Sequence, residues 1–206
     1  KPLLKEEIRE IANKELFRKI ELIIIDEISM VRADLLDNID AFLRINRGYP
    51  DIPFGGVQLA LFGDPYQLAP IVGSEAEAKF LSHQFISPWF FDSESFSSGS
   101  FYTIELTKVF RQKDRDFIEL LDRFRKGKHN DADINRINSR VRKPLRKSDH
   151  PIFLTSTNKL ANFKNKKELY KLPTPEKVFI GKFEGQFPEK SRRALEDLIL
   201  KKRAQV

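Results

Sequence analysis

Four consecutive branched aliphatic residues, Leu22-Ile23-Ile24-Ile25, run straight into two acids, Asp26-Glu27. Such a run suits a short strand buried on both faces, the condition of a parallel sheet. The acids stop it abruptly, so the carboxyl edge of that sheet carries two carboxylates. From Val31 to Ile45 the period changes: Val31, Leu35, Leu36, Ile39, Phe42 and Leu43 fall at helical spacing. A stretch rich in Gly and Pro, 47–56, reads as a loop, and Val57 to Phe62 as a second apolar strand ended by Gly63-Asp64-Pro65. Strand, helix and strand in that order predict an α/β chain with a mainly parallel sheet.

The rest of the chain is less sharply patterned. Residues 5–20 predict a short polar helix, and Gly73 to Gly99 short helices and loops over a core. A third strand is expected over Phe101 to Leu106. Asp114 to Lys126 predicts an amphipathic helix with Phe117, Leu120, Leu121 and Phe124 on one face, closed by Gly127. Ile152 to Thr155 reads as another short strand. Thr157-Asn158 would cap a helix running to about Leu172, before Pro173 and Pro175. Lys177 to Phe183 then alternates like a strand, whose partner is expected beyond the end of the chain.

Composition narrows the function classes. No apolar run approaches the roughly 20 residues that span a bilayer, and Lys1 to Ile11 is too charged for a signal peptide, so the expected location is cytoplasmic: bacterial cytosol or nucleoid. The absence of cysteine excludes disulfides, thiolate zinc sites and cysteine nucleophiles. His83, His129 and His150 lie too far apart to form a ligand pair on one helix. Residues 1–100 hold 10 Lys+Arg against 16 Asp+Glu, a net of −6, while residues 101–206 hold 27 against 14, a net of +13. The basic half could face a polyanion, since neutralising phosphates releases counterions.

Three constellations carry chemistry. At the carboxyl end of a buried strand, where ligands of open α/β folds bind, one acid of Asp26-Glu27 can hold a magnesium ion and the other can position or deprotonate water. The structural alternative is that the pair opens the following helix, where its dipole favours acids. In Gly63-Asp64-Pro65-Tyr66-Gln67-Leu68-Ala69-Pro70, Gln67 could hydrogen-bond an attacking water or a terminal phosphate, held by the tight turn before it. In Leu106-Thr107-Lys108-Val109-Phe110-Arg111-Gln112, Arg111 at a helix entrance could neutralise transition-state charge on a phosphate.

Together the three match a family pattern. Ile24-Ile25-Asp26-Glu27-Ile28-Ser29-Met30 resembles the Walker B element (motif II) of superfamily 1 helicases, and its continuation through Asp37 resembles the Pif branch of the Pif/RecD-type DNA helicases. Gly63 to Pro70 resembles motif III, with Ala69 where the family more often has proline. Leu106 to Gln112 is similar to motif IV, followed by a helix and an Arg-x-Gly ending at Arg125-Lys126-Gly127. Thr157-Asn158, with Ala161 and Asn165, resembles the next block. Phe183-Glu184-Gly185-Gln186-Phe187-Pro188 and Leu198 to Val206 resemble the passage into the small inserted 2B domain.

The resemblance implies RecA-like P-loop NTPase lobes: residues 1–100 as the later part of the first lobe, 101–176 as the start of the second, 177–206 as the approach to 2B. It implies ATP and Mg2+ as cofactors, with Asp26 on the metal, Glu27 activating water, Gln67 coupling the γ-phosphate to DNA movement and Arg111 as an arginine finger. All four would face the nucleotide. Thr157 and Asn158 would lie on the single-strand path. The implied partners are single-stranded DNA and forked duplex DNA, and the implied polarity is 5′ to 3′. No Gly-Lys-Thr/Ser phosphate loop precedes Asp26, no glycine occurs before Gly48, and motifs V and VI do not follow. The chain is therefore expected to be the centre of a two-lobed motor, inactive alone. Two rival expectations are a nucleic-acid-binding or scaffolding module with a degenerate motor fold, and another P-loop enzyme such as an RNA-directed helicase or a nuclease-coupled subunit.

Overall fold

In the computed structural model, residues 7–143, 151–182 and 197–205 are described. They form two compact units, divided between Val141 and Arg142.

The first unit is built on a strand-helix-strand crossover. Strand β1 (Leu22–Ile25) leads through a 3-10 turn (Ile28–Met30) into helix α2 (Ala33–Arg47), which follows the short helix α1 (Glu15–Lys19) in the chain. A second tight turn (Pro53–Gly56) brings the chain into strand β2 (Gln58–Leu61), which pairs parallel to β1 with Leu22 opposite Gln58 and Ile25 opposite Leu61. The aliphatic run therefore does form a parallel strand. Its second face is open, however: Leu22 and Ile24 are 48% and 62% exposed, because only β2 pairs with β1 among the described residues and nothing covers that side. Ile23 and Ile25 face the core.

The core is centred on α2. Leu36, Leu43, Phe54 and Val57 are buried together, with Phe17, Phe42, Leu59, Phe96 and Phe101 packed around them. Each such side chain contributes about 1.5–3 kcal/mol of transfer free energy. Gly48, in the left-handed conformation at φ 79°, ends α2 and returns its N–H to the Arg44 carbonyl. Arg47 in the last turn donates to the carbonyls of Phe17, Ile20 and Gly55, the last two at 2.7 Å. One guanidinium thus ties the start of the unit to the turn before β2. Gly55 is held at φ 58° with the Leu43 carbonyl only 2.7 Å from where a Cβ would stand, so no larger residue fits there.

Helix α3 (Glu75–Gln84) is capped by Ser74, which accepts from the Glu77 N–H. The short helix α4 (Glu94–Ser97) is anchored by the buried Asp37 of α2, whose carboxylate accepts from the Ser95 N–H at 2.8 Å and the Glu94 N–H at 3.3 Å. Helix α5 (Arg115–Arg125) begins at Asp114, which accepts from the Phe117 N–H, and is followed by Gly127 at φ 65°. Leu120 is the buried residue of its apolar face. Helix α6 (Asp131–Asn138) opens with a capping box between Asn130 and Asp133, and Arg123 grips the Asp133 carboxylate with two bonds of 2.8 and 2.6 Å.

In the second unit, helix α7 (Asn158–Tyr170) is capped by Thr157, which accepts from the Leu160 N–H. Strand β3 (Glu176–Ile180) pairs antiparallel with strand β4 (Asp197–Lys201), Val178 opposite Ile199.

Several sequence expectations are corrected. The helix expected over 5–20 shrinks to α1, because 7–14 carry few apolar positions to fasten a longer one. Phe101 to Leu106 forms no strand among the described residues: Tyr102, Ile104 and Leu106 are 90%, 71% and 85% exposed, while Phe101 stacks on Phe96 at 4.6 Å. Ile152 to Thr155 is likewise no strand among the described residues. The partner of β3 lies within the chain, as β4. Helix α6 was not anticipated; its signal was the Asn130-x-x-Asp133 box. His150 and the segment Phe183 to Pro188 fall outside the described residues.

Candidate nucleotide site

The ends of β1 and β2 are stitched together beyond the last ladder pair. The Phe62 N–H donates to the Ile25 carbonyl at 2.9 Å, and the Ile28 N–H donates to the Phe62 carbonyl at 2.8 Å. Asp26-Glu27 and Gly63 to Gln67 therefore leave the sheet side by side. Gly63 makes this closeness possible: a Cβ there would stand 2.8 Å from Ile28 Cγ2 and 3.1 Å from the Ile28 backbone nitrogen.

Asp26 and Glu27 are both exposed. Glu27 adopts the left-handed conformation, φ 52° and ψ 44°, and its N–H donates to Asp26 Oδ1 at 2.9 Å. A non-glycine residue held there is strained by about 1–3 kcal/mol, the kind of outlier that clusters at functional sites. Neither acid caps α2, which starts at Ala33 behind Arg32. Glu27 instead stands at the N-cap position of the 3-10 turn Ile28–Met30, where its side chain makes no capping bond.

The donor set suits a magnesium ion. Mg2+ is usually held by one or two carboxylates with phosphate and water completing the octahedron, not by a protein cage. Asp26 supplies an exposed carboxylate whose Oδ1 is steadied by one N–H. Among the described residues no cluster of three or more His, Asp or Glu is poised around a metal, so phosphate oxygens and water would complete the shell.

The turn after β2 is organised by Asp64. Its carboxylate accepts from the Tyr66 N–H at 3.0 Å and from Gln67 Nε2 at 3.1 Å, while the Gln67 N–H bonds the Asp64 carbonyl. With its amide nitrogen committed to Asp64, Gln67 has its carbonyl oxygen as the end that can accept from a water. Arg125, at the end of α5, donates to Asp64 Oδ2 at 3.2 Å and lies 5.1 Å over the Tyr66 ring. Partial burial pushes the Asp64 carboxyl upward, but hydrogen bonds from Gln67, the Tyr66 N–H and Arg125, with the charge of Arg125, outweigh it and hold the group below the usual carboxylate range. Arg125 entered the sequence reading only as part of an Arg-x-Gly ending; the signal for its role was the helix-stop glycine two residues on.

Arg111 is exposed and lies just before the α5 cap, where Gln112 Oε1 accepts from the N–H groups of Lys113 and Asp114. Thr157 and Asn158 belong to the second unit. The Thr157 hydroxyl is used to cap α7, and Asn158 is its exposed first residue. The structure thus brings Asp26, Glu27 and Gln67 to one sheet edge, and leaves Arg111 on a neighbouring segment of the same unit.

The family model for PIF1-like helicase matches residues 5–135. The chain belongs to that family. It is 36% identical over 159 residues to the ATP-dependent DNA helicase RRM3 of Saccharomyces cerevisiae, covering 76% of this chain and 21% of that protein. Among solved structures it is similar to Bacteroides Pif1 bound to single-stranded DNA, with TM-score 0.81 and 31% identity over 97% of this chain and 47% of that one. A second Bacteroides Pif1 structure, in complex with ADP-AlF3 and single-stranded DNA, matches with TM-score 0.76 and 32% identity, covering 96% of this chain and 46% of that one. The PIF1-like chain described here thus spans about a fifth of RRM3 and about half of the Bacteroides chains. Its α/β lobe with a parallel β1–β2 pair is the RecA-like fold of these relatives. No described helix is long and apolar enough to cross a membrane.

Proposed function

We propose that this chain is the central part of an ATP-dependent DNA helicase motor, coupling ATP hydrolysis to 5′ to 3′ movement along single-stranded DNA and to the opening of forked duplexes. The observation that supports the proposal is the joined strand ends, from which both the Asp26-Glu27 segment and the segment leading to the Asp64-held Gln67 leave the sheet. Asp26 would hold Mg2+, which when bound neutralises phosphate charge. Glu27 accepts a proton from the attacking water, Gln67 orients that water through its amide oxygen, and Arg111 approaches the γ-phosphate as the finger. Thr157 and Asn158 contact the strand through the polar start of α7. On this proposal the second lobe would begin near residue 101 and the 2B approach at residue 177.

A chain of only these residues carries no phosphate loop in its sequence and should not turn over ATP. The test is ATP hydrolysis with and without single-stranded DNA, on this chain and on one extended upstream through a phosphate loop. DNA-stimulated turnover in the extended chain alone, abolished by Glu27→Gln, is the expected result. DNA binding without turnover in the extended chain would replace the motor with a binding module.

A further inference from the structure

The contact between Arg125 and the turn after β2 is unused by the reading above. Three groups converge on the Arg125 guanidinium: Asp64 Oδ2 at 3.2 Å, Asp122 Oδ1 at 3.2 Å from the other terminal nitrogen, and the Tyr66 ring at 5.1 Å. Asp64 Oδ2 is also the atom that accepts from Gln67 Nε2 at 3.1 Å. One carboxylate oxygen therefore joins the arginine at the end of α5 to the amide proposed to orient water.

An isolated exposed ion pair would carry little weight. This one is different in kind because the arginine occupies the second acceptor direction of an oxygen already serving Gln67, and its plane lies over the side chain between them in sequence. A planar fork can bond Asp64 and Asp122 while covering Tyr66; an ammonium cannot do all three. Helix α5 also ends there, with Lys126 capping and Gly127 turning the chain at φ 65°, so Arg125 stands at a fixed point.

We propose that Arg125 is a positioning residue for Gln67: it fixes the Asp64 carboxylate and, through it, the direction of the Gln67 amide. The inference rests on the motor reading for its catalytic consequence and on geometry alone for the contact. Helix α5, about 16 Å of rigid backbone, runs from Arg115, just past the segment of Arg111, to Arg125 at the Asp64 turn.

The test separates the contact from its consequence. In the 206-residue chain, NMR follows the Gln67 side-chain amide and the titration of the Asp64 carboxyl, with circular dichroism reporting the fold. Arg125→Ala should move the Gln67 amide signals toward solvent-exposed values and shift the Asp64 midpoint upward, whereas Lys126→Ala should leave both in place. Arg125→Lys should restore part of the Asp64 shift without returning Gln67 to its original position. Unchanged Gln67 signals in a folded Arg125→Ala chain overturn the proposal; if that variant unfolds, unchanged Gln67 signals in Arg125→Lys do so. In the extended chain, Arg125→Ala should lower kcat for ATP by roughly 10- to 100-fold, the scale of a misplaced catalytic group, with KM nearly constant. An extended wild-type chain without turnover would defeat the motor reading, and the NMR comparison would still decide the contact.

Discussion

The Ile28 N–H donates to the Phe62 carbonyl at 2.8 Å, beyond the last paired residues of β1 and β2. This bond turns two separate strand ends into one edge. The proposed arrangement of Asp26, Glu27 and Gln67 depends on the closeness it records.

Gly63→Val should be among the most damaging single changes near the site. Its new atoms meet Ile28 and the backbone of Ser29, and overpacking against backbone destabilises by about 1–3 kcal/mol. Urea unfolding of the two chains measures this, and an equally stable variant would mean that the strand ends can part without loss.

Glu27 offers a substitution in which stability and activity move oppositely. Replacing it with glycine relieves a left-handed backbone, worth about 1–2 kcal/mol, against roughly 0.5–1 kcal/mol of added chain entropy in the unfolded state. Glu27→Gly is thus expected to be slightly more stable than the parent in thermal unfolding. In an extended, ATP-hydrolysing chain the same change should reduce turnover at least 100-fold, as removal of a general base does.

Arg47→Met should cost about 2–3 kcal/mol, because it strips a charged donor from the carbonyls of Phe17, Ile20 and Gly55. Arg47→Lys should recover only part, since the donors of an ammonium spring from one nitrogen, whereas Arg47 reaches the three carbonyls from two separate nitrogens. Chemical denaturation midpoints at neutral pH distinguish the three chains.

The Arg123–Asp133 pair predicts a specific acid sensitivity. Hydrogen bonds from Arg123 act first, joined by the Asn130 N–H and nearby positive charge, and they outweigh desolvation to bring the Asp133 carboxyl down to about 2 from 3.8. A carboxyl depressed by folding stabilises the folded state above its unfolded pKa, and that contribution fades as pH falls through the folded one. The pair's contribution should therefore be intact above pH 4 and disappear on approach to pH 2. Asp133→Asn should remove that part of the pH dependence, read from denaturation midpoints across the window.

Much of the first unit was legible because its signals are local and strong. The run Leu22 to Ile25, the helical spacing around Leu36 and Leu43, and the cap at Asp114 each mark an element without reference to anything distant, as the cap at Thr157 does in the second unit. The acids and Gln67 are singled out by their motifs, and the strand pairing accounts for why the two motifs leave the sheet at one edge. Phe101 to Leu106 forms no strand because a ladder needs a neighbour as well as β-forming residues, and no strand pairs with it among the described residues. The partner of β3 was missed for the same reason, since Val178 opposite Ile199 is a matter of register that neither strand encodes alone. Arg125 escaped because an arginine at a helix end has many ordinary uses, and only its place over Tyr66 shows which one applies.

The parallel pairing of β1 with β2 also dictates an order of events. Position 22 can meet position 58 only after α2 and the turn at Pro53–Gly56 have reversed the chain, and such distant pairings form more slowly than local ones. No hairpin can zip the two strands, so there is no early state in which half of the edge exists. The segments that follow β1 and β2 are joined in the same step that closes the crossover, and any opening of that crossover frees both.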